Sequence, residues 1–165
     1  MERTGKSVFA ILLLALAAAS CTSKQPEQQS GTAPTFALQA ADGSTIDMKA
    51  LRGKVVVINF WATWCGPCRA EMPGMAQVYD ELKGQGLEIV GVSLDRGGWN
   101  DVRPYLQKTK VSFPVVVGDE DLANAYRVPD AIPFSVFVDR KGNIASTHVG
   151  GMSREAFEQE VRKLL

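Results

Sequence analysis

From Thr35 onward the apolar positions fall into two kinds of pattern. "KVVVINF" (Lys54–Phe60) and "LEIVGVS" (Leu87–Ser93) are nearly unbroken apolar runs rich in β-branched residues. Such runs suit strands buried on both faces. Between them lies a helical pattern long enough for a crossover, which predicts β-α-β with parallel strands. Before them, "FALQAADGSTIDM" sets Asp42-Gly43 between two apolar-bearing arms, a hairpin signal. A second helix is expected from Asn100, with Pro104 in its first turn, where no N–H partner is lost. Strands follow at "FPVVV" and from Phe134 in "FSVFVD", with a short helix around Leu122–Tyr126 between them. "DRKGN" reads as a turn into "IASTHV". A last helix from about Ser153 puts Phe157, Val161, Leu164 and Leu165 on one stripe. The sum is an α/β sandwich: a mixed central sheet with helices on both faces and a β-hairpin extension at its N-terminal side.

The opening of the chain has a different pattern. "MERTGKSVFAILLLALAAASC" carries Arg3 and Lys6, then an apolar run from Val8 to Ala19, a small residue and Cys21. That is the layout of a secretory signal, and the run is too short to favour a membrane span. A cysteine directly after the small residues resembles a bacterial lipoprotein signal, although Ala18 stands where that pattern favours Leu. The resemblance implies a lipid on Cys21; plain secretion is the alternative. "TSKQPEQQSGTAPT" follows, polar and nearly free of large apolar groups, so it reads as a flexible tether. The organisation expected is a signal over 1–20, a lipidated cysteine and tether over 21–34, and one folded domain over 35–165.

Composition narrows the function. The chain has 165 residues with 18 basic and 18 acidic side chains. A nucleic-acid binder would normally carry a basic excess. Three cysteines and one histidine set the limits on metal chemistry. With Cys21 assigned to an anchor, Cys65 and Cys68 remain as a pair in "WCGPCR". A structural zinc site wants four ligands, and the pair plus His148 gives too few. A c-type haem needs Cys-x-x-Cys-His, and position 69 is Arg. A purely structural bridge between such close neighbours would constrain the unfolded chain little.

What remains is redox chemistry. Cys65 follows a buried strand and opens a helix, where unpaired N–H groups and the positive end of the helix dipole favour a thiolate. Gly66 lets a partner chain approach. Pro67 fits the first helical turn. Cys68 lies one turn inward, placed to close a ring onto Cys65. No metal or cofactor is called for.

"FWATWCGPC" resembles the thioredoxin active site, and about Thr35–Leu165 resembles that superfamily, more narrowly its TlpA/ResA/CcmG branch of membrane-tethered thiol–disulfide oxidoreductases. "GKVVVINFWATWCGPCRAEMP", "FPVVV" and "IPFSVFVDRKGNI" carry the narrower likeness. The resemblance implies a thioredoxin-like fold, monomeric, in the bacterial cell envelope facing the periplasm or cell exterior. It implies protein disulfides as substrates, such as the haem-binding cysteines of apocytochrome c, and electrons from a membrane thiol carrier of the DsbD/CcdA type. A general disulfide reductase or oxidant for other exported proteins is the alternative. A peroxiredoxin-like peroxidase would want Thr-x-x-Cys, whereas Thr63 precedes Cys65 by two. Cys-Gly-Pro-Cys is thioredoxin's own motif, whose potential of about −270 mV leans towards a reductant.

The resemblance also assigns residues. Pro133 in "AIPF" matches a proline that is cis in thioredoxin folds and faces the cysteines. Ile132 before it would offer its backbone to an extended substrate segment. Pro73 matches a proline that bends the active-site helix. Trp61 and Trp64 are expected to pack around the site, and Trp99 in "DRGGWND" is a possible partner contact. Thioredoxin carries a buried Asp where this chain has Asn59, which cannot accept a proton. At about 100° per residue from Cys68, Glu71 falls near 300°, inside the apolar stripe of Met72, Met75, Val78 and Leu82. Branch members carry a functional glutamate at this offset. Glu71 is therefore the expected proton acceptor, the alternative being a rim glutamate paired to a lysine. His148 is expected to lie exposed on its strand, without a catalytic role.

Overall fold

A computed structural model describes residues 31–165; the predicted signal, Cys21 and most of the tether lie outside the described residues. The centre of the fold is the strand β4 (Val55–Trp61), every residue of which is buried. It pairs in parallel with β5 (Leu87–Ser93), also fully buried, so the two apolar runs form the middle of the sheet. On the other side β4 pairs antiparallel with β7 (Phe134–Val138), and β7 with β8 (Asn143–Val149). A short strand β6 (Val115–Val117) flanks β5, and β1 (Gly31–Thr32) flanks β8. The six-stranded order is β1-β8-β7-β4-β5-β6. The predicted hairpin forms from β2 (Ala37–Gln39) and β3 (Thr45–Asp47), with Gly43 taking the left-handed conformation its tight turn requires.

Side chains along a strand alternate between faces, so β4 divides the core in two. Val55, Val57 and Trp61 join a cluster with the long helix α1 (Gly66–Leu82), with α2 (Trp99–Leu106) through Val102, and with α4 (Arg154–Arg162) through Phe157 and Val161. Val56, Ile58 and Phe60 join a second cluster, closed by Leu122 of α3 (Glu120–Ala125), Tyr126 and Met48 beside the hairpin. Helices thus cover both faces, as the apolar pattern predicts.

Four expectations need correction. Gly31–Pro34 belong to the fold and not to the tether: β1 pairs with Asn143–Ile144, Ala33 is buried, and the Tyr126 hydroxyl donates to the Pro34 carbonyl. Polar composition hid this because an edge strand pairs through its backbone. Helix α2 starts at Trp99, so Pro104 sits in its second turn and leaves a carbonyl of the first turn without its helical donor. Strand β6 begins only at Val115, after Phe113 and Pro114. His148 is half-buried, since β8 is covered on one side.

Candidate active site

Strand β4 ends at Trp61, and a tight turn follows in which the Cys65 N–H donates to the Ala62 carbonyl at 3.1 Å. Cys65 is the N-cap of α1, with extended backbone, and Pro67 occupies the first turn. The Cys68 N–H donates to Cys65 Sγ at 3.2 Å. That hydrogen bond and the helix N-terminus both favour negative charge on Cys65. Cys65 and Cys68 are joined in a disulfide, with Cα atoms 5.3 Å apart. Cys68 is fully buried, whereas Cys65 keeps a 4% accessible edge. Gly66 and Pro67 are exposed, and a Cβ placed on Gly66 would meet nothing within 4 Å. Any partner therefore reaches the pair from the Cys65 side.

The Ile132–Pro133 bond is cis, and the Ile132 carbonyl oxygen lies 3.6 Å from Cys65 Sγ. The Pro133 carbonyl accepts from the Gly150 N–H at 2.8 Å, which ties the loop before β7 to the loop after β8. The structure thus brings together Cys65, Cys68, Ile132 and Pro133 from distant parts of the sequence. It separates the two tryptophans. Trp61 is buried against Tyr105, whereas Trp64, expected to pack around the site, is 70% exposed beside Cys65. Trp99 is half-buried, with the Arg103 guanidinium over its ring.

Beneath the pair lies a buried polar group. Glu71 is one of three buried carboxylate residues among the described residues and sits on the buried face of α1, one turn beyond Cys68. Its Oε1 accepts from Asn59 Nδ2 at 2.9 Å, and its Oε2 accepts from the Met152 N–H at 3.0 Å. The alternative of a rim glutamate paired to a lysine is thereby set aside. Burial pushes the Glu71 carboxyl above the usual range, opposed by the Met152 and Asn59 hydrogen bonds. Asn59 Nδ2 also donates to Ser135 Oγ at 3.0 Å, while Asn59 Oδ1 has no partner among the described residues. The amide is held on one side only, so an acceptor stays open in the core.

Sequence reasoning missed Ser135, the Met152 N–H and Asp95. Ser135 had a signal: it interrupts the apolar run "FSVFV" and stands directly opposite Asn59 on the paired strand. Asp95 follows β5 and accepts from both the N–H and the hydroxyl of Thr63. That contact turns the Thr63 hydroxyl towards Asp95, which argues against the threonine-assisted chemistry of a peroxidase.

Comparison with known proteins agrees with this geometry. Residues 30–147 match the AhpC/TSA family. A thiol-disulfide oxidoreductase ResA of Geobacillus thermodenitrificans is 33% identical over 162 residues, covering 93% of this chain and 92% of that protein. A thioredoxin-family thiol:disulfide interchange protein of Chlorobium tepidum superposes with a TM-score of 0.74 at 29% identity, over 84% of this chain and 98% of that one. The exposed lipoprotein thioredoxin of Streptococcus pneumoniae superposes with a TM-score of 0.71 at 28% identity, over 79% of this chain and 100% of the other. With a helix-capping Cys-x-x-Cys pair on a thioredoxin-like sheet, the chain belongs to the AhpC/TSA family and is a thiol–disulfide oxidoreductase built on Cys65 and Cys68.

Proposed function

We propose that the protein reduces disulfides of exported proteins outside the cytoplasm, with the haem-binding cysteines of apocytochrome c as the favoured substrate class. The observation that carries the chemistry is Cys65 Sγ at the N-terminus of α1, receiving the Cys68 N–H and lying beside the Ile132 carbonyl. In the dithiol form the Cys65 thiolate attacks one sulfur of a substrate disulfide. A mixed disulfide forms, and the first substrate sulfur leaves as a thiolate and takes a proton. Cys68 then passes its proton to the Glu71 carboxylate and attacks Cys65 Sγ. The Cys65–Cys68 bond forms, and the second substrate thiolate leaves. Two electrons have moved to the substrate, and the proton on Glu71 returns to the leaving thiolate or to solvent. A membrane thiol carrier of the DsbD/CcdA type then restores the dithiol by the reverse exchange.

Substrate docking draws on Trp64, Gly66, Pro67, Ile132 and Pro133. The exposed ring of Trp64 offers apolar contact, and the Ile132 backbone faces an extended segment as an added strand would. The relatives' names support thiol–disulfide exchange of this type, and the name of the pneumococcal lipoprotein supports an anchored location. No helix among the described residues is long and apolar enough to cross a membrane; the proposed attachment is a lipid on Cys21, on the signal-like pattern that precedes it.

The test is trapping. Reduced Cys68→Ala protein mixed with a disulfide-bonded peptide carrying Cys-x-x-Cys-His should accumulate a peptide adduct on Cys65, and Cys65→Ala should accumulate little. An adduct on Cys68 instead would reverse the two roles. Cys21→Ser should release the protein from membranes with its fold intact; unmodified Cys21 in the intact mass of membrane-extracted protein would refute the anchor.

A further inference from the structure

The turn that carries the attacking cysteine is fastened by a carboxylate on the connection between β5 and α2. Its first residue, Ala62, accepts the Cys65 N–H, so Thr63 and Trp64 are the two residues at the tip. Thr63 is gripped by Asp95. The Thr63 N–H donates to Oδ2 at 2.9 Å and to Oδ1 at 3.2 Å, and the Thr63 hydroxyl donates to Oδ1 at 2.6 Å. The grip is itself supported. The Ser93 hydroxyl donates to Asp95 Oδ2 at 2.8 Å, and the Asp95 N–H donates back to Ser93 Oγ at 3.1 Å. Asp95 is 5% exposed, and the neighbouring Leu94 N–H donates to the Trp61 carbonyl at 2.8 Å, which locks the ends of β4 and β5 together.

Three donor groups converge on this carboxylate, and two of them belong to a single turn residue. Hydrogen bonds to an ionised acceptor are stronger and shorter than neutral ones. A buried carboxylate is retained where it is fully partnered, and a simple core role would be met by an apolar side chain. The partner it holds lies two residues before Cys65. The turn sets where Cys65 Sγ stands relative to the Cys68 N–H, which favours its negative charge, and to the Ile132 carbonyl, which borders its approach. A shift of a fraction of an ångström at Thr63 would carry into Cys65 through one intervening residue.

We infer that Asp95 is a positioning residue for thiol–disulfide exchange, clamping Thr63 so that Cys65 is held at the helix N-terminus as an activated nucleophile. The inference rests on Cys65 being the attacking cysteine. It also gives a role to the start of "DRGGWND": Asp95 joins the β5–α2 connection to the reactive turn.

The experiment follows alkylation of the reduced protein by iodoacetamide against pH, with the modified residue identified by mass, in parallel with thermal unfolding. Thr63→Val removes the hydroxyl bond while keeping shape and backbone donor. It should slow Cys65 alkylation below the thiol pKa by about three- to tenfold, the size of one ordinary hydrogen bond's net contribution. Thr63→Ser restores the donor and should return the wild-type profile. Asp95→Asn should act in the same direction as Thr63→Val and more strongly, because its amide cannot accept from every donor that the carboxylate serves. If Thr63→Val and Asp95→Asn lower the unfolding temperature but superimpose on the wild-type alkylation profile, the clamp is structural only and the inference fails. It fails too if Thr63→Ser is as slow as Thr63→Val. Where Asp95→Asn does not fold, the two Thr63 variants decide. Alkylation at Cys68 before Cys65 is a different failure: it overturns the role given to Cys65, and this inference with it.

Discussion

The two faces of β4 are built from one strand and do different work. Val56, Ile58 and Phe60 point into a cluster closed by Leu122, Tyr126 and Phe134, where the Phe60 ring lies 5.4 Å from Tyr126 and 6.2 Å from Phe134. Val57 and Trp61 point to the opposite face, but Asn59 stands between them. There a buried amide, a buried carboxylate and a buried hydroxyl meet one helical turn beyond Cys68. Burying polar groups costs stability unless they are bonded, and Asn59 Oδ1 has no partner among the described residues. The Phe60 face is apolar throughout. The other buries a carboxylate, an amide and a hydroxyl one helical turn beyond Cys68, where the proposed mechanism needs a proton acceptor.

The largest effect that tests this division is on the apolar face. Phe60→Ala should destabilise by about 3–5 kcal/mol, the usual cost of emptying a fully buried phenylalanine site. The rate of Cys65 alkylation in the remaining folded protein should not change. Denaturant unfolding and alkylation on one sample check both, and a large change in reactivity would merge the two faces.

A smaller effect is expected at Glu71, and its sign depends on pH. Burial raises the folded carboxyl above its unfolded value, so the fold favours the protonated form. That contribution is complete below the ordinary glutamate pKa of about 4.3 and is lost as pH rises through the raised value. Wild type should therefore lose stability over that window. Glu71→Gln, which cannot ionise, should not lose it. Its amide can still accept the Met152 N–H and donate to the open Asn59 Oδ1 if the Asn59 amide turns over. Unfolding midpoints from pH 4 to 8 should diverge in favour of the glutamine variant as pH rises, and parallel curves would show that Glu71 titrates normally.

The smallest effect on stability belongs to Trp64. It is 70% exposed, so Trp64→Ala should change the unfolding free energy by no more than about 0.5 kcal/mol. The docking role predicts a raised KM for a disulfide-bonded protein substrate with little change towards a small disulfide reagent. Equal loss on both would place Trp64 in the chemistry and not in docking.

The sequence made these regions legible to different degrees. The apolar face could be read because unbroken β-branched runs have few alternatives to a buried parallel strand. Glu71 could be read because a carboxylate inside a helical stripe is out of place by its own pattern. The cysteine pair declared itself by spacing and by the turn of strand into helix. Ser135 and Asp95 were not singled out, because their importance lies in which residue faces them. Ser135 matters through its register with Asn59, and Asp95 through Thr63, 32 residues earlier in the chain. Gly31–Pro34 escaped notice because an edge strand of small residues pairs by backbone alone. The exposure of Trp64 could not be read, because composition does not say on which side of a tight turn a ring emerges.

The central claim is that Glu71 takes the proton of Cys68 when the mixed disulfide resolves. The direct measurement starts from a preformed mixed disulfide between Cys65 and a thiol peptide, and follows peptide release in a single turnover as a function of pH. In wild type, release should rise as Glu71 ionises and then level. In Glu71→Gln it should be slower at neutral pH and should rise only towards the pH at which Cys68 ionises unaided. Superimposable profiles would contradict the account, leaving Glu71 a structural residue and solvent the acceptor of the proton.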